Sequence, residues 1–122
     1  MEESIEIGLL LAHYGALLTP KQYQLMEAYY FNDLSLQEIA EDEGISRQAV
    51  SDQLQRGRAK LRAYEDATHL VMRLLACRRI FSDMASELVL LDPAKESGIW
   101  QDLDRLEGIL FTEGKEGLEG HV

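Results

Sequence analysis

Cysteine is almost missing from this sequence: Cys77 stands alone among 122 residues. A lone cysteine excludes an internal disulfide and fits a reducing compartment. Long apolar runs are missing too. The richest, Ile7 to Leu18, is interrupted by His13, Tyr14 and Gly15, so it reads as a core helix and not as a bilayer span. Glu2, Glu3 and Glu6 make the N-terminus acidic where a secretory signal would be basic. These readings place the protein in the cytoplasm, without membrane insertion. Proline occurs twice, at Pro20 and Pro93, and Gly57 is the only glycine between Ser46 and Pro93. No stretch alternates apolar and polar residues for long between turn signals, so no strand is predicted.

Groups for catalysis are scarce as well. His13 and His69 fall on different predicted helices, and His121 sits in a Gly- and Glu-rich tail. The acidic pairs Glu41-Asp42 and Asp102-Asp104 have no adjacent histidine and lack the ligand pattern of a calcium loop. No glycine-rich phosphate loop occurs. The sequence therefore points to a non-catalytic protein with no cofactor and no metal.

What is present is acid, and its distribution is uneven. The net charge is −10, which argues against a general nucleic-acid binder. Yet residues 46–80 hold eight Lys or Arg against three carboxylates, while the segments on either side are strongly acidic. Such focusing draws in one phosphate-rich partner while the flanks repel unselected polyanions. The plainer alternative is that Arg-rich helices are simply soluble.

The basic region begins inside the most informative stretch, Ser35 to Leu61. Ser35 precedes an apolar-periodic run with Glu38 three residues on, which is the pattern of a capping box. Ile39 and Ala40 give that short helix a buried face, and Gly44 supplies the positive φ that favours its end. Ser46 caps a second helix two residues later, with Val50, Leu54 and Leu61 on one apolar stripe. Two capped helices joined by a short Gly turn form a helix-turn-helix.

LQEIAEDEGISRQAVSDQLQRGRAKLR resembles the helix-turn-helix of sigma factor region 4. With ALLTPKQYQLMEAYYFNDLS upstream and YEDATHL and RRIFSDM downstream, the chain resembles the YlxM family over roughly its first two-thirds. Glu43 stands where an apolar residue is common in that pattern. The resemblance implies a small bacterial accessory or regulatory factor of the signal recognition particle pathway. The partners it implies are the particle's RNA, its GTPase protein, or both. Nothing in the chain resembles the promoter-melting domain of a sigma factor.

The remaining elements follow from caps and periodicity. A first helix is predicted from Ser4 to about Leu18, with Ile5, Leu9, Ala12 and Ala16 on one face and Leu10, Leu11 and Leu17 widening it. Thr19-Pro20 opens a second, Lys21 to about Phe31, in which Tyr29, Tyr30 and Phe31 read as core. The helix from Ser46 would run about 70 Å if unbroken to Leu91, so a break is expected near Asp66 to Thr68. Beyond it Leu70, Leu74, Cys77, Phe81, Met84, Leu88 and Leu91 form a heptad stripe, which would bury Cys77 as a small hydrophobe. Asp92-Pro93 is expected to cap a last helix, with Ile99, Leu103, Leu106 and Leu110 inward.

The expected fold is thus all-α: a helix-turn-helix head over 1–66, a helical extension over 67–111, and a flexible tail over 112–122. The start of the recognition helix would enter a major groove. The residues that would point into it are Ser46, Arg47, Gln48 and, a turn later, Ser51 and Asp52, with Gln55 next, and Arg and Gln offer bidentate forks to guanine and adenine. Arg56, Arg58, Lys60 and Arg62 suit phosphate, whereas Asp52 would repel it. The alternative is that Arg47 and Gln48 are solvent-facing helix formers that bind nothing. The heptad stripe suggests a homodimer; folding back within the chain is the competing use. A dimeric DNA-binding transcription regulator is the second functional reading.

Overall fold

A computed structural model describes residues 2–111; the expected flexible tail lies outside the described residues. These residues form six α-helices and one 3-10 turn, with no strand among them. The chain divides into two compact units, the first ending at Val71 and the second beginning at Met72.

In the first unit, α1 (Glu3–Tyr14) opens with Glu3 and Glu6 beside its positive N-terminal dipole. It tightens into a 3-10 turn at Gly15–Leu17. Its buried face is Ile7, Leu10, Leu11 and Tyr14. This is not the expected face: Ile5 and Leu17 are 59% and 62% exposed, and Ala12 and Ala16 are exposed too. The Leu-rich run offers apolar side chains on most sides, so periodicity cannot choose among them; contact with the other helices does.

α2 (Pro20–Tyr30) begins where Thr19 Oγ1 accepts the Gln22 N–H at 3.2 Å. Leu25 and Met26 are buried, Tyr29 and Tyr30 half-buried, and Phe31 lies exposed beyond the helix end. α3 (Leu36–Glu43) carries the full capping box. The Glu38 N–H donates to Ser35 Oγ at 3.1 Å, and the Ser35 N–H donates to Glu38 Oε1 at 3.0 Å. That reciprocal bond to the charged form holds the Glu38 carboxyl below its usual pKa. Gly44 ends α3 at φ +68°, and Ser46 Oγ accepts the Ala49 N–H at 3.0 Å to start α4 (Arg47–Thr68).

α4 is the axis of this unit, packing on α1, α2 and α3. Val50, Leu54, Gly57 and Leu61 form its buried stripe. Ile7, Leu11, Leu25, Met26, Ile39, Val50, Leu54 and Leu61 are all but sealed from water. Each contributes about 1.5–3 kcal/mol of burial. Glu43 is half-buried because it bridges α3 to α2. It pairs with the Lys21 ammonium and accepts from Gln24 Nε2 at 3.0 Å, which gives an acid a place where the family resemblance leads one to expect an apolar side chain.

The break after α4 falls at His69, in the left-handed region at φ +53°. Thr68 Oγ1 accepts the Leu70 N–H at 3.2 Å, so Thr68 does the expected capping while Asp66 stays in solvent. Buried Tyr14 of α1 meets the end of α4 within the first unit. Its hydroxyl donates to Glu65 Oε1 at 2.5 Å and lies 2.5 Å from Thr68 Oγ1; Glu65 Oε1 also accepts the Val71 N–H at 3.0 Å.

The second unit contains α5 (Leu70–Leu91) from Met72 onward and α6 (Ile99–Phe111). Phe81 meets Phe111 edge-on at 5.4 Å, and the Arg78 guanidinium lies 4.6 Å above the Phe111 ring. Contrary to expectation, Asp92 does not cap α6 directly. Its carboxylate instead gathers the turn before it, accepting from the Glu96 and Ser97 N–H groups and from Trp100 Nε1. The Ser97 amide above all holds the Asp92 carboxyl below its usual pKa. Of the four residues expected to face inward on α6, Leu103 is buried and Leu110 half-buried, while Ile99 and Leu106 are exposed. Cys77 is exposed, against expectation. A pair of helices covers one side of each, and Cys77 lies off the side of α5 where Phe81 and Ala85 face α6.

Candidate nucleic-acid interface

α4 and its cap carry every candidate, and the helical register sorts them into two ridges. Gln48, Ser51, Gln55, Arg58 and Arg62 follow steps of three and four, so they share one side. Arg56 and Lys60 are four apart on the opposite flank, roughly a third of a turn or more away at about 100° per residue. The four phosphate candidates are therefore split, Arg58 and Arg62 on one side of the helix and Arg56 and Lys60 on the other.

Local chemistry fixes some of these groups and leaves others free. The Ser46 hydroxyl is engaged as the helix cap, and Ser51 is half-buried. Gln48 Nε2 donates to Asp52 Oδ1 at 2.9 Å, one turn along, so Asp52 orients that amide. Arg58 is half-buried and donates from NH1 to the Tyr30 hydroxyl at 3.0 Å. Tyr30 is thus a buttress for a cation as well as part of the core. Its separation of 28 residues from Arg58 leaves no trace in the sequence pattern. Arg62 lies 3.7 Å from Glu3 Oε2 of α1; both side chains are largely in solvent, and such a pair is worth about 0–1 kcal/mol. Arg47, Arg56 and Lys60 are exposed and make no hydrogen bond or ion pair among the described residues.

The result is a polar ridge, Gln48–Ser51–Gln55, that continues into Arg58 and Arg62, with Arg56 and Lys60 on the opposite flank and exposed Asp52 beside Gln48. An α-helix about 10–12 Å across matches a B-form major groove about 12 Å wide. Laid in such a groove, the amides would face base edges and the cations would face phosphates. An A-form groove is too deep and narrow to admit the same helix, so on RNA the cations alone would serve, at phosphates and loops. Among the described residues no group of three or more His, Cys, Asp or Glu is placed to hold a metal ion. Nor is any helix among them long and apolar enough to cross a membrane.

Capped helices joined at a left-handed glycine, the second with an exposed polar ridge, define a helix-turn-helix protein. The family model described as "Putative helix-turn-helix protein, YlxM / p13 like" matches residues 1–101, and the chain belongs to this family, UPF0122. A UPF0122 protein of Streptococcus agalactiae serotype III is 42% identical over 84 residues, covering 69% of this chain and 76% of its own. One from Clostridium acetobutylicum is 38% identical over 108 residues, covering 88% and 93%. One from Desulforamulus reducens is 40% identical over 114 residues, covering 90% and 92%.

Proposed function

We propose that this protein is a non-catalytic, nucleic-acid-binding accessory factor of the signal recognition particle pathway, acting in the cytoplasm through α4. The observation that carries the binding reading is the set of exposed cations Arg47, Arg56 and Lys60, unpaired among the described residues, near a polar ridge on the one basic stretch of an acidic chain. The pathway is supported by the resemblance to the YlxM family. In this reading Arg56, Lys60 and, with more constraint, Arg58 and Arg62 hold phosphates of the particle RNA. The acidic surfaces are available to the targeting GTPase, and the molecule works as a homodimer through its C-terminal helices. A second reading, a dimeric regulator of transcription, is favoured by the ridge Gln48–Ser51–Gln55, whose dimensions suit duplex DNA.

Salt titrations of binding to particle RNA and to palindromic duplex DNA, run side by side, separate the two. Three unpaired cations predict a log–log slope of roughly −2 to −3. Alanine at Arg47 and Gln48 should weaken DNA binding strongly and RNA binding modestly, with no change in melting temperature. Stronger binding to a particular DNA sequence than to the RNA would replace the first reading with the second. Binding to neither would remove both.

A further inference from the structure

Between Met72 and Phe111 a single residue, Leu103, is buried. α6 lies along the side of α5 bearing Arg78, Phe81 and Ala85. About a third of a turn around α5 runs a second ridge: Arg73, Cys77, Ile80, Met84 and Glu87, at steps of four, three, four and three. All five are exposed, Ile80 at 57% and Met84 at 47%, and neither Arg73 nor Glu87 has an ion-pair partner among the described residues.

This ridge reads almost the same in both directions. Reversed about Ile80, Ile80 meets its own copy, Cys77 meets Met84 to within one residue, and Arg73 meets Glu87. A two-fold contact uses one patch on both molecules, so each apolar contact and each ion pair is made twice. Parallel pairing in register would instead set Arg73 against Arg73 and Glu87 against Glu87, and like charges across a helix seam are unfavourable. We infer that α5 pairs antiparallel with α5 of a second copy, along Arg73, Cys77, Ile80, Met84 and Glu87, with the two-fold axis at Ile80. The inference rests on the homodimer part of the proposed function and adds the surface and its direction. The ridge differs from the heptad stripe read in the sequence, because α6 already takes the Phe81 side of that stripe.

The lone cysteine makes the geometry measurable. Reversal about Ile80 sets the two Cys77 residues six positions apart, about 9 Å along the axes. With helix axes some 8–10 Å apart, they lie outside the roughly 7 Å Cα separation a disulfide allows. Met84→Cys in the full chain should bring the introduced thiol opposite Cys77 of the second copy. Under a mild copper–phenanthroline oxidant it should give a covalent dimer, whereas the unmodified chain and the Cys77→Ala/Met84→Cys variant should stay uncrosslinked. Light scattering on the reduced chain at tens of micromolar should return twice 13.9 kDa. Glu87→Lys should raise the dimer dissociation constant about fivefold or more, and adding Arg73→Glu should restore it. A monomer mass overturns the homodimer and the inference together. A dimer in which Cys77 links to Cys77, or in which the introduced thiol fails to link to Cys77, overturns the antiparallel pairing alone. Nucleic-acid binding is read in the separate salt titration, so failure there leaves this result standing.

Discussion

Gly57→Ala sets two effects of known size against each other on the helix that carries the candidate interface. In a solvent-exposed helix interior the change would stabilise by about 1 kcal/mol. At position 57, however, a Cβ would stand 2.7 Å from Met26 Sδ, 3.1 Å from its Cγ and 3.2 Å from its Cε. Met26 is wholly buried between α2 and α4, and overpacking of this kind costs about 1–3 kcal/mol. The cost wins, leaving a net loss near 1 kcal/mol. With a urea m-value of about 1–3 kcal/mol per molar, the midpoint should fall by roughly 0.5 M, followed by circular dichroism at 222 nm. The sign should reverse once the sulfur is gone. In a Met26→Ala background, itself costing about 2–5 kcal/mol, Gly57→Ala should raise the midpoint. A higher midpoint for Gly57→Ala in the native background would refute close α2–α4 packing as the reason a glycine stands there.

Tyr14→Phe removes a hydroxyl that bonds the Glu65 carboxylate and Thr68 at the α4–α5 joint. Bonds to charged groups are worth about 1.5–3 kcal/mol, and a thermal melt unchanged at pH 7 would disprove that role. Burial first, and then the Glu65 hydrogen bond, push the Tyr14 pKa above its ordinary value of 10.0. A raised folded pKa contributes stability that is complete below pH 10 and lost as pH climbs through the folded value. The alkaline fall in melting temperature should therefore be shallower in Tyr14→Phe. Glu3→Gln removes the carboxylate facing Arg62 and adds one unit of charge near the recognition helix. Affinity for nucleic acid should rise up to about fivefold, with a salt slope steeper by roughly 0.7–0.9. No change in slope would take Arg62 out of the phosphate contacts.

What could be read from the chain alone was the chemistry that closes within four residues. Ser35 with Glu38, Thr19 with Pro20, Gly44, and Ser46 each act on backbone a turn away, so their spacing is their mechanism. The break at His69 was legible for a related reason: one helix to Leu91 is too long for so small a chain, and Thr68 offers a cap. Burial was legible only where another helix was certain to cover the stripe, as along Val50, Leu54 and Leu61. The Leu-rich α1 had no single face to read, and Cys77 needed knowledge of which side α6 takes. The partners of the candidate cations were out of reach for a different reason. Arg58 meets Tyr30 and Arg62 meets Glu3 through the packing of α4 on α1 and α2, and no local pattern encodes a pairing across that distance. The Tyr30 hydroxyl restrains Arg58, whereas Arg62 stays largely in solvent beside Glu3, and Arg47, Arg56 and Lys60 are unpaired among the described residues.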